Sequence, residues 1–219
     1  MRRLSSTLLT AGVAAGPLYV VVSLTEVAVR DGFDPTRHAW SMLANGTYGW
    51  IHSLNLFVSG VLVIAGAIAI HQAIRQRPAP TLLALYGLGM VGAAFFTADP
   101  GRGFPVGTPE VVPVSGHGIA HFAVGGVGFL GLVAGCLLLA RRLGADGQRG
   151  LAMFSRVTGV FFLVAFLALA GTGGPAWALL AFTAAVILAS AWLSTIFTHY
   201  RRVAARPGRR SDRHDPVAA

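Results

Sequence analysis

The sequence predicts an all-α protein: a bundle of six transmembrane helices, with a short helix on the outer surface in the first extracytoplasmic loop. Three observations predict it. Of 219 residues, 54% are hydrophobic and only 11% charged, less than half the charged fraction of about 25% in soluble domains. The apolar residues gather in blocks of roughly 18 or more, enough to cross about 30 Å of hydrocarbon at 1.5 Å per residue. Arginines flank these blocks and hardly enter them.

Taken in order, the blocks place spans at about 6–28, 51–74, 81–98, 117–140, 152–171 and 175–198, a single domain over 1–198. Met1-Arg2-Arg3 with the apolar run behind it resembles a signal peptide, and Ala11 to Gly16 offers small residues for cleavage. The run continues to about Ala28, too long for a signal-peptide core, so an uncleaved first span is expected. Residues 29–50 and 99–116 form the long connections. In the first, Asp34 suits a helix cap, Pro35 the first helical position and Gly46 the end. Trp40, Leu43 and Ala44 would then share one face. Residues 199–219, with Arg201, Arg202, Arg206, Arg209, Arg210 and Arg213 among Pro, Gly and Asp, are expected to be a disordered basic cytoplasmic tail.

The formal charge of +9 comes with 17 basic residues, every one of them arginine. No basic face interleaved with aromatics exists, so nucleic acid is not an expected partner. Arg30, Arg37 and Arg102 fall on one side of the six spans and the other fourteen on the opposite side. By the positive-inside rule both termini are cytoplasmic, in a plasma membrane whose anionic lipid headgroups meet the basic side. Trp40, Tyr48, Trp50 and Trp177 fall near the outer boundary, as an aromatic belt would. Arginine without lysine, with abundant Ala, Gly and Val, suggests a GC-rich bacterial genome. Cys136 stands alone, which excludes an internal disulfide and a cysteine-based zinc site.

Polar groups are costly inside a membrane, so their positions point to function. Gly12, Gly16, Tyr19, Ser23 and Glu26 recur at spacings that put them on one face of the first span. His52, Asn55 and Ser59 share a face of the second. Asp99 ends the third, and His117, His121 and Gly125 line a stripe of the fourth. These four stripes meet at one depth near the outer leaflet. We therefore expect an outward-facing polar pocket among the first four spans, binding a lipid headgroup or small polar ligand through residues that include Glu26, Asn55 and Arg102. His121 should face the bundle interior. No polar path continues toward the cytoplasm, which argues against a transporter.

Two histidines four apart on a helix project side by side and suit one metal ion. His52, His117 and His121 could hold zinc with an open position for water, and Asp99 could take the proton as the catalytic carboxylate. The order His, Asp, His-x3-His on successive spans resembles the alkaline ceramidase and adiponectin receptor superfamily of intramembrane zinc hydrolases. That resemblance implies a second function, zinc-dependent lipid hydrolysis.

A broader resemblance spans most of residues 10–198. Arg30-Asp31-Gly32-Phe33-Asp34-Pro35, then Ser41-Met42-Leu43-Ala44, then Gly49-Trp50, look like the bacterial and archaeal membrane family called domain of unknown function 998. Phe96-Thr97-Ala98-Asp99-Pro100 and the following His117 are similar to that family's later motif. The resemblance implies a six-helix fold and no particular reaction. It adds Asp34 and Ser41 to Asp99 and His117 as site candidates.

Overall fold

The computed structural model describes residues 2–73 and 77–205, with side-chain surroundings from residue 5 onward. It contains α1 (Arg2–Val29), α2 (Gly49–Ala73), α3 (Pro78–Phe95), α4 (Gly116–Ala145), α5 (Arg149–Thr172) and α6 (Ala176–Ala205), and no strand among the described residues. All six helices are long and apolar enough to cross a membrane, and the chain is a multi-pass membrane protein. Val21, Phe57, Ile68, Leu88, Leu130 and Leu167 are exposed on the outside of the bundle. In water such a surface would be unfavourable; against lipid tails it is the matched one.

Each helix packs on its neighbours in sequence, and α6 returns to α1, so the six form a closed ring. Lipid gives no hydrophobic drive between helices, so contact depends on close backbone approach at small residues. A Cβ on Gly60 would meet the Gly87 carbonyl at 2.6 Å, one on Gly89 the Gly128 Cα at 2.8 Å, and one on Gly159 the Cys136 Cβ at 2.9 Å. These are the α2–α3, α3–α4 and α4–α5 seams. The expected small face of α1 meets two neighbours: Gly16 lies on the Ser190 carbonyl of α6, and Gly12 on Phe197 of α6 and Gly66 of α2.

Phe197 is wedged between Gly12 and Gly66, and with Leu139, Trp192 and Ile196 it fills the half of the ring nearer the chain termini. The Trp192 indole N–H donates to Ser155 Oγ at 2.8 Å, so the largest buried side chain leaves no unpaired donor there. At the opposite end, residues 30–48 and 96–115 fold over the ring as a lid.

Several boundaries differ from the sequence expectation. Asp34 does cap a turn, accepting from the Thr36 N–H at 2.8 Å, but that turn closes at His38, whose N–H donates to the Asp34 carbonyl at 2.8 Å. Ala39 is extended, and the short helix is a separate 3-10 element, Trp40–Ala44. His38 stops the turn because its ring is held from both sides by other lid groups, described below. Trp40 belongs to the lid, is buried and does not join the belt; Tyr48, Trp50 and Trp177 are exposed. Helix α3 ends at Phe95, before the expected 98: Phe96 is already extended, and the Phe96 and Ala98 carbonyls face His121 and Asn45 instead of a continuing helix. Helix α6 runs through Ala205, so residues 199–205 are not disordered; Arg201, Arg202, Ala204 and Ala205 favour helix and no glycine or proline interrupts them. Arg75 and residues 206–219 lie outside the described residues.

Candidate functional site

The polar stripes of α1 and α2 face each other. Tyr19, Ser23 and Glu26 on α1 and His52, Asn55 and Ser59 on α2 are all buried. Asn55 donates to the Tyr19 carbonyl at 3.1 Å and to Ser23 Oγ at 3.3 Å, and it accepts from Ser59 Oγ at 3.4 Å. Glu26 Oε2 lies 2.8 Å from His52 Nδ1, and Glu26 Oε1 lies 3.6 Å from Arg30. Glu26 Oε1 and His52 Nε2 are buried without a hydrogen-bond partner among the described residues. These groups hold one another at the α1–α2 seam, and Tyr19 also lines the cavity described below.

Arg30 also anchors the lid. Its guanidinium donates to the Leu43 carbonyl at 3.0 Å and the Asn45 carbonyl at 2.6 Å, and it lies over the Phe104 ring at 5.3 Å. Asn45 donates to the Ala98 carbonyl at 3.0 Å, tying the two lid loops. The Asp34 N–H donates to His38 Nδ1 at 2.9 Å, which fixes the proton on Nε2; Nε2 lies 3.0 Å from the Arg102 carbonyl, its acceptor. Arg102 donates to the carbonyls of Gly173 and Gly174, the latter at 2.8 Å, and so straps the lid to the α5–α6 turn. Arg102 and Asp34 thus serve the lid. Hydrogen bonds from the Thr36 hydroxyl and N–H hold the Asp34 carboxyl below its usual pKa.

Asp99 is bound by Ser115, through its hydroxyl and through its N–H at 2.9 Å, and Ser115 Oγ accepts from the Gly118 N–H at 3.0 Å. This pair caps the first turn of α4. The Ser115 hydroxyl first, then its N–H, lowers the Asp99 pKa. His117 is exposed and stands edge-on to Phe96 at 5.8 Å. His121, one turn further in, is buried, with Nδ1 2.7 Å from the Phe96 carbonyl.

The donors required for zinc are therefore not assembled. Among the described residues no group of three His, Cys, Asp or Glu side chains is disposed to hold one metal ion. Nδ1 of His52 is committed to Glu26, and the exposed His117 has parted from the buried His121. The reason is height along the helix: His117 occupies the first turn of α4, at the rim of the ring.

One cavity lies beneath the lid, in the middle of the ring, with a volume of about 120 Å³. Tyr19, Trp40, Tyr86, Phe129, Phe166 and Phe182 line it with aromatic rings, and Ser41, His121 and Thr183 add polar groups. Phe129, Phe162, Phe166 and Phe182 stack edge-on in a cluster, with centroids 5.1 Å to 5.5 Å apart for the closest pairs. Gly125 and Gly126 leave a gap in the α4 wall: a Cβ on Gly125 would touch nothing within 4 Å. Phe122, also on this wall, is 69% exposed on the outside of the bundle, so the cavity reaches the lipid-facing surface at α4.

The sequence matches the family described as protein of unknown function (DUF998) over residues 13–199. The chain belongs to that family. No curated protein and no solved structure matches the chain. Of the site residues expected in this DUF998 protein, His121 and Ser41 line the cavity, while Glu26, His52, Asn55, Asp34, Asp99 and Arg102 build the frame around it. The sequence reading missed the roles of Arg30 and His38. Both are ionisable groups in the loop after α1; Arg30 counted only in the arginine asymmetry and the loop motif, and His38 in neither.

Proposed function

We propose that this protein binds an amphipathic membrane lipid, taken laterally from the bilayer, with an apolar part in the aromatic cavity and a polar group near His121 and Ser41. The observation that supports this most is the cavity itself: apolar, roofed by a cross-braced lid, and reaching the outer surface past exposed Phe122. An aqueous ligand would have to part Arg30, Asn45 and Arg102 from their carbonyls, whereas a bilayer component need not. The reading retains a lipid as ligand and exchanges the polar pocket for an apolar one.

Gly125→Leu tests it. A Cβ at this position meets nothing within 4 Å, so the added side chain enters open space. Lipid retained by the wild-type protein through purification, and identified by native mass spectrometry, is expected to be lost in this variant with the melting temperature preserved. Equal retention by both proteins would sink the reading. Orientation belongs to the same proposal. With the lid toward the outside of a plasma membrane, exposed Arg141, Arg149, Arg156 and Arg202 meet anionic headgroups on the cytoplasmic side. A reporter at Gly147 should then report cytoplasm and one at Val111 the exterior; the reverse pattern would turn the molecule over.

A further inference from the structure

We infer that the cavity selects a ring that carries a hydroxyl donor, a phenol or the quinol head of a membrane lipid, and that His121 Nε2 is the selecting atom. The inference rests on the reading of the cavity as a lipid site and names the chemistry that site accepts.

Size comes first. An apolar protein cavity of about 150 Å³ takes up benzene, and this one measures about 120 Å³. It holds one six-membered ring, while a longer tail would trail past Phe122 into the bilayer. The wall suits a flat ring, since Phe129, Phe166 and Phe182 present faces and edges for offset or edge-on contact.

Hydrogen-bond direction comes second. A carbonyl oxygen only accepts, so the 2.7 Å contact between His121 Nδ1 and the Phe96 carbonyl places the proton on Nδ1. In the neutral ring Nε2 then carries the lone pair and only accepts. Ser41 and Thr183 hydroxyls both donate and accept, so they do not discriminate. The Trp40 indole N–H donates equally to a hydroxyl or a carbonyl. The Tyr19 and Tyr86 hydroxyls, like those of Ser41 and Thr183, both donate and accept. Among these side chains His121 is the one that only accepts, so it rewards a donor and penalises a ligand lacking one, because its acceptor would be left unpaired.

The protein in detergent would be titrated with phenol, anisole and toluene, followed by a short-chain benzoquinol and its benzoquinone. Phenol should bind about tenfold or more tightly than anisole, and the quinol than the quinone, which is the size of one lost hydrogen bond to a buried acceptor. His121→Asn keeps a side-chain N–H near the position of Nδ1, within reach of the Phe96 carbonyl, and removes the Nε2 acceptor. Its phenol-to-anisole ratio should fall to about one, with toluene binding retained. Equal phenol and anisole binding by the wild type, or a ratio unchanged in His121→Asn, overturns the inference while leaving the lipid site standing. Failure of all three rings to bind overturns both. If phenol binds but the quinol with its tail does not, the hydroxyl preference holds and the ligand is a small soluble phenol.

Discussion

Glu26 Oε2 sits 2.8 Å from His52 Nδ1 at the buried junction of α1 and α2, and the other oxygen of the same carboxylate faces Arg30 at 3.6 Å. One carboxylate thus joins the two-helix seam to the lid, because Arg30 carries the bonds to the Leu43 and Asn45 carbonyls.

Removing that carboxylate should loosen the lid as well as the seam. Glu26→Ala leaves Arg30 and His52 buried without it, and breaking a buried charged pair costs about 3 kcal/mol or more. Thermal unfolding in detergent should fall accordingly. Hydrogen exchange should rise at residues 43–45, which lie far from Glu26 in sequence. A stability loss with unchanged exchange there would show that the lid does not depend on Glu26.

Asp99 gives a pH dependence with a definite sign. Its pKa in the folded protein is lowered from 3.8 by the Ser115 hydroxyl and N–H. The ionised form is thus favoured on folding, and its contribution is fully present above the unfolded value. It is lost as pH falls through the lowered folded pKa. Asp99→Asn should melt below the wild type at neutral pH, and the gap should shrink as the pH drops below about 3.8. A gap that stayed constant into strong acid would contradict the role of the charge in capping α4.

The angular part of this arrangement was legible in the sequence. Tyr19, Ser23 and Glu26, and opposite them His52, Asn55 and Ser59, are where helical periodicity put them. A polar side chain inside a bilayer has one tolerable direction, toward its partners. Height was legible in part: His121 was expected one turn deeper than His117 and facing the interior, and it is buried under the lid. That His117 stays exposed at the rim, too far from His121 and His52 to share one metal ion, was not legible. Neither were the lid bonds of Arg30, His38 and Arg102, which go to backbone carbonyls in distant loops that no residue pattern marks. The cavity depends on what is missing: Gly125 matters because Phe129, Phe166 and Phe182, brought together only by the closed ring, leave space beside it.

The α1–α6 seam carries the last prediction. Pro17 lies inside α1 and has no N–H to give the Val13 carbonyl, four residues earlier. Ser194 of α6 donates to that carbonyl at 2.9 Å, and Gly16 lets α6 come close enough by resting on the Ser190 carbonyl. In a membrane the orphaned carbonyl needs such a partner. Gly16→Leu should therefore sharply lower resistance to unfolding in detergent, since its side chain would overlap the α6 backbone. Ser194→Ala is the finer probe: it should cost about 1 kcal/mol with Pro17 present. In a Pro17→Ala background, position 17 again donates to the Val13 carbonyl, and the same Ser194→Ala change should cost close to nothing. A double-mutant cycle reads this directly. Equal costs in the two backgrounds would show that Ser194 stabilises the seam by packing alone and that the proline defect is satisfied elsewhere.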